Sequence, residues 1–488
     1  FVFEDFNYRF VNKFSKLKHL SFTFYNIIHA LPTLQPINFS MCYKPSFVNL
    51  NSHLQVRLFR TIAIASFLLC SLFTASAQLT DKKLDKILSK SKELKPVLSQ
   101  KEKYEVQIIY TQIDRDSQNR PTFTTYHFNV DSKRYFYPAS TIKLPAVLLS
   151  LEKISKLNID GLTKETPMYI EKAFEGHEPV SADATSENSM ASVGHYAKKI
   201  LLVSDNDAFN RLYEFIGQEP FNETLKSKSY RNLRIVHRLS IPYSREENSI
   251  TPEVWFGNRK PIPKVPPYAE TDRMEVAEIS RIYTQEAQKN TSRTYSPNTS
   301  IRKGKGYQKG DEIINEQFDF TNKNFYALTE QHELMKALMF PDAVLPAKRF
   351  DLTEADYDFV YKYMSMLPKE TTFPNYDNGE YWDSYVKFFM FGDSKKTMPD
   401  HIRIFNKVGD AYGYLIDNAY IVDFENNVEF ILSAVIHVNN NQIYNDGVYE
   451  YDKTGFPFMA ELGKTIYEYE LTRKRKNPPN LDRFKLEY

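Results

Sequence analysis

The sequence predicts an α/β protein: an antiparallel five-stranded sheet flanked by helices, with a mostly helical lobe attached. Three observations carry this reading. Two segments rich in β-branched and aromatic residues stand close together, Tyr104–Ile113 and Thr122–Val130. Three more stand late in the chain, Ile402–Gly409, Tyr414–Phe424 and Val428–Val438. Their short links, Asp410–Gly413 and Glu425–Asn427, imply an antiparallel meander. The stretch between the two groups is largely helical in pattern, so one sheet drawn from both chain ends accounts for the order.

Residues 81–99 place Leu84, Ile87, Leu88 and Leu94 on one face, which predicts an amphipathic helix. Asp114–Arg120 is polar and reads as a hairpin loop between the first two strands. Tyr137-Pro138-Ala139-Ser140 leads from a loop into an apolar helix through Leu151. Residues 195–217 read as two helical stretches pinched at Ser204-Asp205-Asn206. Residues 256–267 are Pro-rich and basic, and Asp272–Gln288 reads as a helix with Asp272 as its cap. Residues 289–310 read as a solvated loop, because Arg302-Lys303-Gly304-Lys305-Gly306 lacks the strand and helix that a phosphate cradle requires. Helical patterns resume at Glu330–Met339 and Glu354–Leu367, and Phe456–Leu471 is the last helix.

The N-terminal part reads as a leader. Arg57 and Arg60 precede the 13-residue apolar run Thr61–Phe73, and Ala75-Ser76-Ala77 follows as a small-x-small cleavage site. The run is too short to span a bilayer. Residues 56–77 are therefore expected to be a secretory signal peptide, with Gln78 as the mature N-terminus. Residues 1–55 are expected to be over-extended upstream translation, with Met41 or Val56 as alternative starts. The destination is the periplasm or the medium, without a transmembrane anchor; lipidation at Cys70 is disfavoured by the large Leu69 before it. Both cysteines, Cys42 and Cys70, precede Gln78, so the mature chain has no disulfide or thiolate chemistry. The 63 basic and 61 acidic residues of the whole chain balance, which excludes a global nucleic-acid footprint. The histidines lack metal-binding spacing, so no metal is expected. The 15% aromatic content reads as core and lobe packing.

Ser-x-x-Lys occurs at Ser15, Ser89, Ser140, Ser150, Ser300 and Ser384, and means little by itself. Ser140 alone stands at a loop-to-helix junction just after two strands. Ser140 and Lys143 share a helix face, since positions three apart are neighbours. A serine hydroxyl needs a base, and a lysine serves when burial and nearby cations lower its pKa. Ser204-Asp205-Asn206 occurs once. There a second hydroxyl could return a proton to a leaving nitrogen, and an amide could orient Lys143 and bind a carbonyl. The plainer reading is a helix-capping pair.

Ser140-Thr141-Ile142-Lys143 together with Ser204-Asp205-Asn206 resembles the serine β-lactamases and penicillin-binding proteins, class A β-lactamases most closely. The resemblance covers about residues 100–255 and 325–475, with 256–325 as an insertion into a domain spanning 78–488. It implies the β-lactamase-like fold and a third element on an edge strand. Lys453-Thr454-Gly455 matches that element literally but precedes only one helix. Lys407-Val408-Gly409 ends a strand followed by two more, and is preferred. By resemblance Ser140 is the nucleophile, Lys143 its base and Ser204 the proton relay, while Lys407 supplies positive potential. Asn206, Val408 and Gly409 contribute to substrate binding, and the backbone N–H groups of Ser140 and Asp410 form the oxyanion hole.

Two departures stand out. Val408 replaces the hydroxyl residue that in the family helps bind the substrate carboxylate. The family's Ω-loop glutamate, its deacylation base, has no evident counterpart. Aligning Val236-His237-Arg238-Leu239 with the start of that loop puts Tyr243 near its place, with Glu246 or Glu247 as substitutes. The resemblance implies a secreted serine hydrolase acting on a β-lactam or a peptidoglycan-like amide, as a monomer without cofactor, and hence a role in antibiotic resistance. The alternatives are a D,D-peptidase or slow-turnover penicillin-binding protein, and a non-catalytic cell-envelope binding protein on the same scaffold.

Overall fold

Period-two alternation along five strands decides the architecture. The computed structural model describes residues 79–261, 276–291, 295, 297, 299–377 and 379–488. The expected leader at 56–77, Cys42, Cys70, Gln78 and the expected cap Asp272 lie outside the described residues. The strands are β1 (Gln107–Arg115), β2 (Pro121–Phe128), β3 (Ile402–Ala411), β4 (Tyr414–Asp423) and β5 (Val428–His437). They form one antiparallel sheet in the order β3-β4-β5-β1-β2, so both chain ends meet at the β5–β1 pair. The β3–β4 hairpin turns on Tyr412 and Gly413, both with positive φ, +55° and +80°. That is the two-residue geometry that matches strand twist.

Both faces of this sheet are covered. Phe405, Ile416, Tyr420, Ile431 and Val435 point into a core shared with the helical lobe. Their neighbours Ile404, Leu415, Ile421, Phe430 and Leu432 point into a second core. The lobe side contains α1 (Lys143–Leu157), α2 (Val193–Val203), α3 (Asn206–Ile216), α4 (Leu328–Met339) and α5 (Glu354–Ser365). The opposite side is covered by α6 (Phe456–Thr472) and by the short helices Lys82–Leu88 and Lys95–Leu98. β4 and β5 are therefore buried along nearly their whole length, while the edge strand β2 alternates exposed and half-buried residues. No described helix is long and apolar enough to cross a membrane.

Three expectations need correction. Residues 81–99 form two short helices rather than one, with Pro96 in the first turn of the second, yet Leu84, Ile87, Leu88 and Leu94 are all buried as the periodicity required. Asp272–Gln288 is not a helix: Val276–Gln285 is a strand paired with Val254–Pro261, which in turn pairs with Met168–Ile170. The lobe therefore carries a three-stranded sheet as well as helices. Residues 302–309 are not a free loop: Arg302–Lys303 pairs with Phe318–Asp319, and Gly306–Lys309 pairs with Ile443–Tyr444. The N–H groups of Lys305 and Gly306 donate to the Gln442 carbonyl, so they cannot cradle a phosphate.

One buried ionic cluster anchors the loop around Ser240, which follows the strand Leu233–Arg234. Arg238 Nε donates to Glu214 Oε1 at 2.7 Å, with both side chains essentially inaccessible. The Arg238 guanidinium also reaches the carbonyls of Glu247 and Ile250. Burial pushes the Glu214 carboxyl up, but His177, Arg238 and Arg211 outweigh it and hold it below its ordinary value. Removing one partner of a buried pair leaves an uncompensated charge, at about 3–5 kcal/mol. Arg238→Ala should therefore lower the unfolding free energy by about 3 kcal/mol or more in urea titrations. A loss below about 1 kcal/mol, the range of exposed pairs, would contradict this role.

Candidate active site

Ser140 owes its position to a short 3-10 turn. Ala139–Ile142 form that turn, and α1 begins directly at Lys143. The Thr141 N–H and hydroxyl both donate to the Pro138 carbonyl and tighten it. Ser140 is half-buried and opens onto a cavity of about 860 Å³. Ala139, Ser204, Ser240 and Tyr412 line the same cavity and all hold positive φ, from +47° to +63°. Such conformations each cost about 1–3 kcal/mol in non-glycine residues and cluster at functional sites.

Ser204 ends α2 in the left-handed conformation, and the Asp205 carboxylate caps α3 by accepting from the Ala208 N–H. The plain capping reading therefore holds for Asp205. The same chain reversal turns Ser204 and Asn206 toward the cavity. Lys143 Nζ donates to Asn206 Oδ1 at 2.6 Å and to the Ser204 carbonyl, the two N–H bonds a neutral amine can make, and lies 3.3 Å from the Ser204 hydroxyl. Lys407 Nζ, from edge strand β3, donates to Ser204 Oγ at 2.7 Å and to the Val408 carbonyl at 3.0 Å. Two lysines from distant parts of the chain thus meet at one hydroxyl.

Burial and the neighbouring Lys407 ammonium push the Lys143 amine well below its ordinary pKa, with Asp205 and Asp410 opposing weakly. Lys407 is pushed down to about 7, by burial first, with Asp410 and Asp417 opposing. A neutral Lys143 has a lone pair for the Ser140 proton, and a protonated Lys407 keeps positive potential at Ser204.

The other motif candidates separate cleanly. Ser150 is fully buried in α1. Ser384 lines the cavity, but its hydroxyl donates to the Ser394 carbonyl, and Lys387 donates to the Met364 and Ile404 carbonyls. Lys453 lies in the turn before α6 and is not part of the edge strand. Val408 and Asp410 line the cavity, and Gly409 lies against the Ser140 turn.

Glu246 and Glu247 are not brought to Ser140. Glu246 pairs with Lys289 at 3.0 Å, and Glu247 caps a short helix by accepting from the Ser244 N–H. Neither lines the Ser140 cavity; Glu246 lines a neighbouring one of about 840 Å³. Tyr243 donates its hydroxyl to the Gly176 carbonyl. The residue this loop presents to the site is Ser240, whose Oγ accepts from Asn206 Nδ2 at 2.9 Å. Sequence reasoning missed it by counting past Arg238 to Tyr243, and a search for a carboxylate could not find a hydroxyl. It also missed Trp382 and Tyr385, which line the cavity rather than serving only the core. Among the described residues no cluster of three His, Cys, Asp or Glu is placed to hold a metal ion.

Residues 89–256 match the model of the β-lactamase enzyme family, Beta-lactamase2. No curated protein matches the chain. Solved structures similar to it include the β-lactamase from Sphaerobacter thermophilus DSM 20745, at 11% identity over 78% of this chain and 98% of that one, TM-score 0.40. The class A β-lactamase from Clostridium kluyveri DSM 555 gives 13% identity over 78% and 99%, TM-score 0.39. The structure named PBP-A gives 12% identity over 78% and 96%, TM-score 0.41.

Gly409 shows how tightly β3 meets the Ser140 turn. A Cβ there would stand 2.8 Å from both the Pro138 carbonyl oxygen and the Ser140 nitrogen. Overpacking of this kind costs about 1–3 kcal/mol. Gly409→Ala should lower stability by that amount in urea unfolding and slow the labelling of Ser140 by a fluorophosphonate. Unchanged labelling would mean that strand and turn are not held in contact.

Proposed function

We propose that this chain, whose residues 89–256 belong to the serine β-lactamase and penicillin-binding-protein superfamily, is a serine hydrolase that forms an acyl-enzyme on Ser140. The fold is β-lactamase-like, with its five-stranded antiparallel sheet and helical lobe. One observation carries the reading: Lys143 and Lys407 converge on Ser204 Oγ at the cavity that Ser140 lines. Neutral Lys143 takes the proton of Ser140, and Ser140 Oγ attacks the carbonyl carbon of a β-lactam or peptidoglycan-like amide. The developing oxyanion is met by the N–H groups of Ser140 and Asp410. Ser204 passes a proton to the leaving nitrogen, and Lys407 favours the charge that accumulates around Ser204. The C–N bond breaks, leaving an ester on Ser140.

Release requires water and a positioned base. The loop around Ser240 contributes a hydroxyl to the cavity and no carboxylate, while Glu246 and Glu247 are engaged elsewhere. This favours the slow-turnover, penicillin-binding reading over fast β-lactam hydrolysis. The proposal includes export through the leader expected at 56–77, and a monomer.

Intact-protein mass spectrometry after mixing with a penicillin tests the reading. A mass increase equal to the penicillin should form on Ser140 and persist for minutes. Ser140→Ala should abolish it and Ser150→Ala should not. Lys407→Ala should slow acylation by roughly 10²-fold or more, as loss of an oxyanion-hole donor does. Lys453→Ala should be near neutral, as exposed changes usually are. A transient adduct restores the fast β-lactamase reading, and no adduct supports a non-catalytic binding protein.

A further inference from the structure

The charge lining the Ser140 cavity is unusual for a site that would receive an anion. Asp393, Asp410 and Asp452 contribute carboxylates, and Lys395 contributes an ammonium. Asp393 is paired with Lys464 at 2.9 Å, and Lys395 sits over the Trp382 ring at 4.0 Å. Asp452 and Asp410 remain; the Asp410 residue is exposed at its outer edge, but its carboxyl is enclosed, and burial pushes it above its ordinary value while the Lys143 and Lys407 amines pull it back. Asp410 directly follows Gly409, which packs on the Ser140 turn, and it lines the same cavity as Ser140. Its field is felt by Lys143, Lys407 and Tyr385.

A carboxylate next to a developing oxyanion opposes that charge. The opposition is lifted when a cation occupies the space between the carboxylate and the aromatic wall. That wall is present: Trp382, Tyr385 and Tyr412 line the cavity, and Trp382 already holds one ammonium on its face. Val408 is buried in the second core and has no hydroxyl for an incoming carboxylate.

We propose that the substrate presents a protonated amine to the Asp410 carboxylate, so that this protein selects cationic amides over anionic ones. The selection deepens the acyl-enzyme reading above and rests on it for the identity of the reacting site. Asp410 is then a specificity residue through its side chain, apart from the part its N–H plays in the oxyanion hole. Asp452 adds a second, weaker attraction across the cavity.

The test uses a matched series of peptide-like amides that differ in one terminal group: ammonium, acetamide or carboxylate. Binding is measured by calorimetry on Ser140→Ala protein, which separates recognition from acylation. The ammonium ligand should bind roughly tenfold more tightly than the carboxylate ligand, as an ion pair backed by an aromatic face allows. Asp410→Asn should collapse that ratio toward one, and raising the salt should shrink it. In protein with Ser140 intact, corresponding thioesters should acylate in the same order. Equal binding of the two charged ligands, a preference for the carboxylate, or an unchanged ratio in Asp410→Asn would overturn the proposal. A charge preference in binding without any acylation would leave this inference standing and remove the hydrolase reading.

Discussion

Two lysines held out of water on either side of one hydroxyl, Ser204 Oγ, are the constraint on which the site depends. Lys143 approaches it from the helical lobe at 3.3 Å and Lys407 from the sheet edge at 2.7 Å. Two ammonium groups so close in a desolvated place repel each other, and the mutual repulsion adds to the burial penalty. The arrangement resolves this by favouring loss of one proton. Lys143 is pushed well below its ordinary pKa and begins the helix that directly follows the Ser140 turn, which is why the proposed mechanism gives it the base's part.

That geometry exists only because the sheet edge and the lobe are fixed against each other. Gly409 permits the close approach of β3 to the Ser140 turn. Beneath it, Lys387 donates to Asn406 Oδ1, and Asn406 Nδ2 donates to Asp417 Oδ1. The other Asp417 oxygen accepts from the N–H groups of Phe388 and Phe389. This buried chain ties the segment that carries Tyr385 to β3 and β4. The Arg238–Glu214 pair does the same for the loop that presents Ser240. A fully satisfied buried polar network specifies one arrangement, since any slip leaves a group unpaired.

The sheet was legible because its signal is local. Strand pattern and short links show in neighbouring residues, and the choice of Lys407 over Lys453 followed from counting the strands after each. The motif residues at 140, 143 and 204 were legible for the same reason. The strand Val276–Gln285 was not, because Val276, Ile279, Ile282 and Tyr283 also satisfy helical spacing, and only pairing with Val254–Pro261 decides between the two. Ser240 and Trp382 reach the cavity through tertiary placement of their loops, which no local pattern encodes. Glu246 and Glu247 have the right chemistry near the expected place in the chain, but Lys289 and the Ser244 N–H engage them.

The central claim is that Lys143 is a neutral amine at the working pH, and its ionisation can be observed directly. Carbon-13 NMR of lysine Cε resonances, with Lys143 assigned through Lys143→Arg, follows that amine through a pH titration. Burial and the Lys407 charge predict a midpoint well below the ordinary value of 10.5, rising toward it in Lys407→Ala. A Lys143 that titrates near 10.5 and ignores the loss of Lys407 would contradict the account.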